Sequence, residues 1–585
     1  MNNQQNGTAV NTDMAMPRQG KFAFGRTFYI ANIMEIFERL AWYGFFAVSS
    51  IYMTTPKSQG GIGFSDIERG AVQGIIPFFL YLLPVFTGAV GDRVGYKKMF
   101  LWAFIIMAPG YYLLGQAQSF WSFFAALSAV AFGAACFKPV VVGTVSHSTH
   151  DGNRALGFGI FYTMVNIGGF IGPLVAGYMR AISWDAVFLM SAGWILLNFI
   201  TLLFYQDHTQ KSQLSLRDTF KSAQSVLGNG RLALTLFCSL ALLMSAGVEF
   251  ISYTSALSLI ALWLLTNWLW DNYLRASALT ASSWWRQPTQ VSNPTFALYL
   301  LILAGFWTVY NQLFYTLPLY IRDYADTQDL LSWFGPAATE FLAHVNVAAL
   351  ADEIIALFAR IQAEEVINLE ALRLQWVHLK VNVPITELEL LVSSLTNIHQ
   401  LGESLSLAQA TEMAHELVQY RQINPEYLIN LNFIMIVLAQ ILVSILCQRF
   451  KPFYVLVSGL VVIVAAFLLL LMGASWISGQ LVVSVIMLIA LGEMLASPKS
   501  QEFVASIAPK SQTALYMGYY FVSMALGFLF AGFLSGWSYK VLVQEMAQPK
   551  LMWGLFAVIA ACTAIALLWL NGVIIRQRAT SVGRD

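Results

Sequence analysis

Apolar stretches, each about as long as one membrane-spanning helix, dominate the sequence. A helix needs about 20 mostly apolar residues to cross a bilayer, because lipid cannot hydrogen-bond to exposed backbone groups. The runs are grouped as six, two and six, so the pattern predicts an all-α polytopic membrane protein with fourteen spans. They lie near residues 27–53, 69–90, 99–117, 120–145, 155–180, 184–205, 231–250, 252–271, 296–321, 426–448, 453–475, 480–500, 512–537 and 551–575.

The composition supports this prediction and excludes several other classes of protein. Hydrophobic residues make up 58% of the 585 positions and charged residues only 11%, whereas soluble domains carry about 25% charged residues. The 32 basic residues nearly balance the 31 acidic ones, which gives no indication of a nucleic-acid partner. All four cysteines fall in apolar runs, so we expect packing residues and no disulfide framework or metal site. The polar first 20 residues predict no signal peptide.

Basic residues mark one side of the membrane. They cluster before the first run, after the second, sixth and eighth, between the tenth and eleventh, and at the end of the chain. The positive-inside rule makes that side cytoplasmic. We therefore expect a multi-pass plasma-membrane protein, in a bacterium the inner membrane, with both termini in the cytoplasm.

The segment between the ninth and tenth runs is different in character. Residues 321–425 contain 14 acidic and 5 basic residues and show apolar positions at helical spacing, which predicts an acidic helical insert on the outer face. The predicted division is a tail at 1–22, a six-helix bundle at 23–205, a linker with two extra helices at 206–290, the first helix of a second bundle at 291–322, the insert at 323–423, the rest of that bundle at 424–575 and a tail at 576–585.

Four histidines lie in the insert. Without the spacing of metal ligands, we expect them to be ordinary surface residues and predict no metal site. They are His344, His378, His399 and His415.

The first run contains three charged residues, Glu35, Glu38 and Arg39. Offsets of three and four place them on one helix face, and Tyr43 continues this face by one turn. Charge near the centre of a bilayer costs about 2.5–3.5 kcal/mol per residue, which makes it a candidate functional feature. The alternative is an ion pair that only fixes helix packing.

Two more charged residues interrupt apolar runs, Lys138 in the fourth and Glu493 in the twelfth. A lone ammonium in lipid requires a carboxylate partner, and the acids of the first run are the natural candidates. An acid in each half together with a lysine is typical of a proton relay or a moving gate. For Glu493 alone, the alternative is a static contact between helices.

The connection between the second and third runs reads GAVGDRVGYKK. It resembles the loop motif of the major facilitator superfamily, which the resemblance assigns to Gly88, Asp92, Arg93, Gly95, Lys97 and Lys98.

Further motifs resemble those of the proton-dependent oligopeptide transporter family within that superfamily. The matching segments are EIFERLAWYG in the first run, FKPVVVG in the fourth, FYTMVNIGGFIGP in the fifth, FWTVYNQ in the ninth and GEMLASPKSQEFVASIAPKS from the twelfth onward. The resemblance implies the fold of that superfamily, with two six-helix bundles and two extra helices between them. It also implies symport of di- or tripeptides with protons as the coupling ion, no other cofactor and no enzymatic activity.

The resemblance also implies roles for individual residues. It assigns proton coupling to Glu35, Glu38, Arg39, Lys138 and Glu493. The residues expected to line the substrate cavity are Tyr43, Tyr81, Lys138, Asn166, Trp307, Asn311 and Glu493. Lys138 and Glu493 would meet when the inner gate closes, and a zwitterionic peptide would find a cation and an anion on opposite walls.

The chain departs from the family at two positions. Asn311 stands where the family has an acid, and Phe46 stands where that acid's arginine partner is expected. Losing both charges together avoids stranding one of them. We therefore expect an outer closure held by packing and neutral hydrogen bonds.

Three alternatives remain open at this stage. The departures favour a facilitator, or a transporter of another amphoteric solute with altered proton coupling. The acidic insert would suit a non-transporting sensor that binds a protein partner. His147, His150 and Asp151 in one loop would suit a membrane-embedded enzyme, but no second ligand cluster supports it.

The predicted topology can be tested directly. A protease added to intact cells should cut within residues 323–423, because the charge pattern places this segment outside. Mass spectrometry of the fragments would locate the cut. Cleavage only in inverted vesicles would show that the orientation is reversed.

Overall fold

The computed structural model describes residues 24–150, 153–207, 228–273, 284–291, 293–473, 476–508 and 513–582. The predicted N-terminal tail and most of the basic segment after the sixth run lie outside these residues.

Seven helices form the N-terminal bundle, one more than the six predicted runs, because the second run contains two helices. Pro84 begins a new helix, and a proline in this position cannot continue the backbone hydrogen bonding of the preceding turn. The helices are α1 Arg26–Thr54, α2 Asp66–Leu82, α3 Pro84–Val94, α4 Tyr96–Gln116, α5 Phe120–His147, α6 Arg154–Ile182 and α7 Trp184–Leu203. A 3₁₀ turn, Lys57–Gln59, follows α1.

Two helices connect the bundles, and the second bundle follows. The connecting pair is α8 Gly230–Gly247 and α9 Tyr253–Tyr273, with a 3₁₀ turn at Trp284–Arg286. The ninth run is broken into α10 Pro294–Tyr310, α11 Gln312–Tyr315 and α12 Leu317–Tyr324. After the insert come α19 Pro425–Ile429, α20 Leu431–Cys447, α21 Pro452–Met472, α22 Gly479–Ile507, α23 Thr513–Ser538, a π-helical turn Tyr539–Glu545 and α24 Pro549–Val582. Since α24 runs to Val582, the tail predicted from residue 576 is a continuation of this helix.

Among the described residues, 11 helices are long and apolar enough to cross a membrane. The bent pair α2 and α3 adds a broken span. Helix α1 carries three charges in five residues, and α9 is interspersed with polar and tryptophan side chains, so neither is among the eleven. With these three spans included, the order remains six, two and six.

The insert between α12 and α19 consists of short helices around a hydrophobic cluster of its own. Trp376 is fully buried at its centre, together with residues such as Leu350, Leu388 and Leu395. The insert helices are α13 Gln328–Leu331, α14 Pro336–Leu342, α15 Val347–Gln362, α16 Leu369–Val377, α17 Ile385–Gln400 and α18 Leu407–Leu417, followed by a 3₁₀ turn Val418–Tyr420.

The insert is fastened to the C-terminal bundle. Strand β1 (Ala325–Asp326) pairs in parallel with β2 (Ile477–Ser478) just before α22. The Asp329 carboxylate accepts hydrogen bonds from the backbone N–H groups of Gly479 and Gln480, each at 3.0 Å. These groups begin α22 and have no partner within the helix. Arg373 also stacks on Trp476, with 3.9 Å between its guanidinium carbon and the ring centroid.

The insert lies opposite the chain termini. Helix α1 begins beside the end of α7, where Thr27 hydrogen-bonds to the carbonyl oxygen of Gln206. At its other end, Thr54 accepts a hydrogen bond from Arg322 at 3.1 Å, next to the insert. We call these two faces of the protein the terminal side and the insert side.

Glycines bring α1 and α6 together. A side chain at Gly172 would meet the backbone nitrogen of Gly44 at 2.9 Å and the carbonyl oxygen of Leu40 at 3.0 Å, while one at Gly168 would meet the Cβ of Arg39. Close backbone approach through small residues is typical of helix pairs in membranes. The glycines of the fifth-run motif therefore fix the position of the charged face of α1.

We expect Gly172→Ala to destabilise the protein by about 1–3 kcal/mol, because the new methyl group overlaps backbone atoms that cannot move independently. Thermal unfolding in detergent would measure the loss. The matched control is Gly159→Ala in the same helix, where nothing lies within 4 Å of the new methyl group. Equal unfolding temperatures for the two variants would contradict the packing described.

Candidate functional site

Three charged side chains of α1 form a buried cluster, as their spacing predicted. The Nε of Arg39 lies 3.2 Å from the Oε1 of Glu35, and its guanidinium group also contacts Glu38. All three residues are at most 4% exposed. One oxygen of each carboxylate has no hydrogen-bond partner, so the cluster retains two free acceptors in a low-dielectric environment.

Lys138 of α5 projects toward the same region but does not form the ion pair expected from the sequence. Its Nζ lies 4.3 Å from the centroid of the Tyr81 ring, a cation–π distance. Glu35 and Glu38 act on it electrostatically, but among the described residues no carboxylate lies within the 4.0 Å of a salt bridge. In this conformation the ammonium group therefore rests on an aromatic face and not on a carboxylate.

Glu493 of α22 forms a second polar cluster, in the C-terminal bundle. The hydroxyl group of Tyr310 donates a short hydrogen bond to Glu493 and accepts one from Asn432 at 3.3 Å. Asn432 is fully buried. The predicted contact between Lys138 and Glu493 is not present in this conformation.

Aromatic side chains join the two bundles at the level of these clusters. Tyr43 packs edge to face against Phe433 with centroids 5.1 Å apart, and Tyr81 stacks on Phe528 at 4.9 Å. Glu493 interacts electrostatically with Tyr43 and with Tyr162 across the bundle boundary. The Tyr43 ring also lies 5.5 Å from the Arg39 guanidinium carbon, and Phe433 follows Asn432 in α20, so this aromatic contact bridges the two clusters.

The other three predicted cavity residues, Asn166, Trp307 and Asn311, differ in whether their polar groups are already hydrogen-bonded. Asn166 and Asn311 each donate to a carbonyl oxygen of their own helix, at 2.8 and 2.7 Å. Trp307 lies against Tyr310 and Tyr520, with an indole N–H that is buried without a hydrogen-bond partner. Of these three residues, Trp307 alone offers an unused hydrogen-bonding group near the Glu493 cluster.

The loop motif joins α3, α4 and α7 on the terminal side. Asp92 accepts a hydrogen bond from the hydroxyl group of Tyr96 at 2.8 Å, and Lys97 donates to the carbonyl oxygen of Tyr205 at 2.9 Å. Gly95 has φ 102°, a conformation that glycine adopts without strain. Gly88 faces Pro139, the residue after Lys138. The motif thus holds helix ends together beside the lysine-bearing helix.

The insert side is closed by contacts between the bundles. Buried Arg69 of α2 is paired with Asp66 at 2.9 Å and donates hydrogen bonds to Tyr315 and Ser535 of the C-terminal bundle. Phe46 packs against Phe314 and Tyr315, one turn beyond Asn311. The two positions where the family has opposite charges are therefore occupied by aromatic packing and a helix-internal hydrogen bond.

The expectation of a closure without an ion pair is wrong in one respect. Arg180 of α6 and Glu426 of α19 form a salt bridge between the bundles, with both carboxylate oxygens within 3.0 Å of one guanidinium nitrogen. Both side chains are buried. The chain lacks the family's charge pair and carries another one a short distance away.

Sequence reasoning also missed some residues and misplaced others. Tyr310 and Asn432 were not among the predicted site residues, although Tyr310 lies within the motif FWTVYNQ; Asn432 lies in an apolar run and carries no signal beyond being polar. His378 is not an ordinary surface histidine, since its side chain is 24% exposed and lies 3.8 Å from Asp323. Among the described residues, no three histidine, cysteine or acidic side chains are grouped to hold a metal ion.

Solved structures share this fold. A peptide transporter crystallised with sulfate superposes with a TM-score of 0.60 at 17% identity over 96% of each chain. A transporter of the same POT family bound to 5-aminolevulinic acid gives 0.61 at 15% identity, over 95% of this chain and 97% of that one. At these identities the likeness establishes the fold.

Curated relatives match part of the sequence. An uncharacterised transporter, YclF, of Bacillus subtilis is 28% identical over 166 residues, which is 28% of this chain and 34% of that protein. The peptide transporter YePEPT of Yersinia enterocolitica is 28% identical over 174 residues, 28% of this chain and 34% of its own. A di-/tripeptide transporter of Lactococcus lactis is 30% identical over 148 residues, 24% and 30% of the two chains. The matches thus span about a third of each relative.

A family model matches most of the chain, over residues 32–361 and 397–582. The model and the structural neighbours describe transporters, and the membrane-enzyme alternative falls with this finding. His147 and His150 of that alternative lie exposed at the end of α5. This chain belongs to the Major Facilitator Superfamily.

Proposed function

We propose that this protein is a proton-coupled symporter of di- and tripeptides or peptide-like solutes that works by alternating access. One observation carries the proposal: two buried acidic clusters, Glu35–Glu38–Arg39 and Tyr310–Glu493–Asn432, lie in opposite bundles and are bridged by aromatic contacts of Tyr43. The similarity to named peptide transporters supports the choice of substrate.

The physical basis for coupling is the cost of unpaired charge in the membrane interior. When Glu35 or Glu38 is ionised, Lys138 gains an ionic partner in α1. When the acid takes up a proton, the ammonium group is left without that partner and can turn to Glu493 or to a substrate carboxylate. Proton binding therefore changes which pairs of charges are stable, and with them which side of the protein is closed.

The present conformation corresponds to one state of such a cycle. The insert side is closed by the contacts of Arg69, Arg180 and Phe46, whereas Lys138 and Glu493 are apart. With the insert outside the cell, this is a state closed to the outside, and approach of Lys138 to Glu493 would close the opposite side.

A facilitator without obligatory proton coupling is the second candidate. It is favoured by Phe46 and Asn311, which remove a titratable pair from the closure. Proton flux measured in proteoliposomes with and without peptide separates the two, because a facilitator moves peptide without moving protons.

For the symporter, Lys138→Ala should abolish uptake driven by a proton gradient while leaving counterflow of labelled dialanine. Counterflow requires no net proton movement, and the substitution removes the cation that responds to protonation of the acids. Both activities would be measured in proteoliposomes. The matched control is Lys540→Ala, which removes an exposed lysine paired with Glu249 at 3.2 Å. Gradient-driven accumulation by Lys138→Ala at the level of the control would refute the assignment.

The Arg180–Glu426 pair predicts an asymmetry between two substitutions. Breaking a buried pair costs about 3–5 kcal/mol when a charge is left unpaired, and this cost acts on the closed insert side. Glu426→Gln leaves Arg180 beside Lys380, two cations without an anion. Arg180→Gln leaves Glu426 with Lys380 as a nearby replacement partner. We therefore expect Glu426→Gln to open the insert side more.

Spin labels on the insert-side ends of α2 and α23 would measure this opening as a longer distance. Arg360→Gln serves as the control, because both side chains of its pair with Glu365 are exposed and such pairs contribute about 0–1 kcal/mol. Equal distance distributions for Glu426→Gln and wild type would show that the pair does not hold the closure.

A further inference from the structure

A second site for a charged ligand lies on the insert side, away from the central clusters. A cleft of about 640 Å³ separates the insert from the N-terminal bundle, a volume typical of small-molecule sites. The ends of α1, α6 and α7 form one wall, and α15 and the end of α16 form the other. No residue of the clusters around Arg39 or Glu493 lines it.

Lys380 contributes a cation to this cleft. Its ammonium group donates one long hydrogen bond, 3.4 Å, to the carbonyl oxygen of His344. Among the described residues, no carboxylate lies within salt-bridge distance of it. Glu426 acts on Lys380 electrostatically, but both of its carboxylate oxygens accept hydrogen bonds from Arg180. A mostly buried ammonium group in this position has unused capacity for an anion.

The backbone holds Lys380 in an unfavourable conformation. Its φ is 68°, in the left-handed region that non-glycine residues seldom adopt. The turn is closed by the N–H groups of Lys380 and Val381, which donate to the carbonyl oxygens of Val377 and Trp376 at 2.9 and 3.3 Å. Glycine would satisfy this turn without strain.

The cations around Lys380 create a positive potential at its ammonium group, which a bound anion would relieve. Burial and the neighbouring Arg180 lower the pKa of Lys380 to about 7. Burial and Arg322 lower the pKa of His378 to about 4, so the histidine stays neutral near pH 7. Arg180 and Arg322 already have acidic partners. Lys380 is therefore the group here that would gain an ion pair from a bound anion.

Acidic side chains lie on the remaining edge of the same cleft. Asp185 begins α7, and Asp352 and Glu353 belong to α15. Asp185 and Asp352 are exposed, and the Glu353 carboxylate accepts a hydrogen bond from Gln375 at 2.7 Å. The cleft thus presents cations at its base and carboxylates at its rim, an arrangement that matches a solute with one charged group of each sign.

We propose that the cleft binds small amphoteric solutes, with the ligand carboxylate on Lys380 and Arg180 and the ligand ammonium toward Asp185, Asp352 and Glu353. The choice of a peptide-like ligand rests on the proposed function, whereas the carboxylate site rests on Lys380 itself. With the insert outside, this site would hold a solute at the entrance while the central site is closed.

Nuclear magnetic resonance of the full-length protein with reductively ¹³C-methylated lysines tests this assignment, since methylation keeps the charge. Lys380→Gln identifies the Lys380 signal by its absence. Dialanine should shift this signal saturably and raise the pKa of Lys380, while the signal of Lys57, whose Nζ donates to Gln118, stays unchanged. Dialanine amide, which lacks the carboxylate, and N-acetyl-dialanine, which lacks the ammonium, should each bind at least tenfold more weakly.

Each outcome decides one point. An unmoved Lys380 signal at saturating dialanine overturns the site, even if proteoliposomes containing the protein accumulate dialanine. A shift in protein that transports no peptide supports the site and refutes the proposed function. Sodium chloride reproducing the shift overturns carboxylate selectivity, and equal binding of dialanine and N-acetyl-dialanine overturns the role of the acidic rim.

Discussion

Three charged side chains within one and a half turns of α1 must share an environment that cannot solvate them, and much of the N-terminal bundle is arranged around this constraint. Arg39 contacts both Glu35 and Glu38, so one guanidinium group compensates two carboxylates only in part. The remaining negative charge requires a further cation or a proton. Lys138 on α5 is the available cation, and the glycines of α6 allow the close helix approach that shields the cluster.

The C-terminal bundle meets the same constraint differently. Among the residues described in this bundle, Glu493 has no basic partner; the phenol of Tyr310 donates to it, and the amide of Asn432 donates to that phenol. Neutral donors stabilise a carboxylate less than an ammonium group does, so this acid remains responsive to a cation that approaches from the other bundle. The N-terminal bundle thus buries several charges near its centre, whereas in the C-terminal bundle the carboxylate of Glu493 is buried with neutral partners. Attraction between a cation of the first and this carboxylate of the second is a physical reason for the bundles to change their relative positions.

Some of these features can be predicted from the sequence and others cannot. The helices follow from the apolar runs, and the α1 cluster follows from residue spacing, because both are set by neighbours along the chain. The partners of Glu493 could not be predicted, since Tyr310 and Asn432 come from α10 and α20 and meet only after folding. The Arg180–Glu426 pair was missed for another reason: both residues lie at span ends, where charged residues commonly reach toward water and give no signal of pairing. The first break of the ninth span, at Asn311, could not be predicted because no proline stands there, whereas Pro318 marks the second break at the start of α12.

The cap that Asp329 places on α22 has a mechanical consequence. Helix α22 begins at Gly479 and carries Glu493 fourteen residues later, about 21 Å along the helix axis at 1.5 Å per residue. No proline interrupts this stretch, so it behaves as a stiff rod. The parallel strand pair and the cap fix the insert to one end of the rod, and the acid facing the other bundle lies near its middle. Force applied to the surface of the insert therefore reaches a buried carboxylate through one continuous helix.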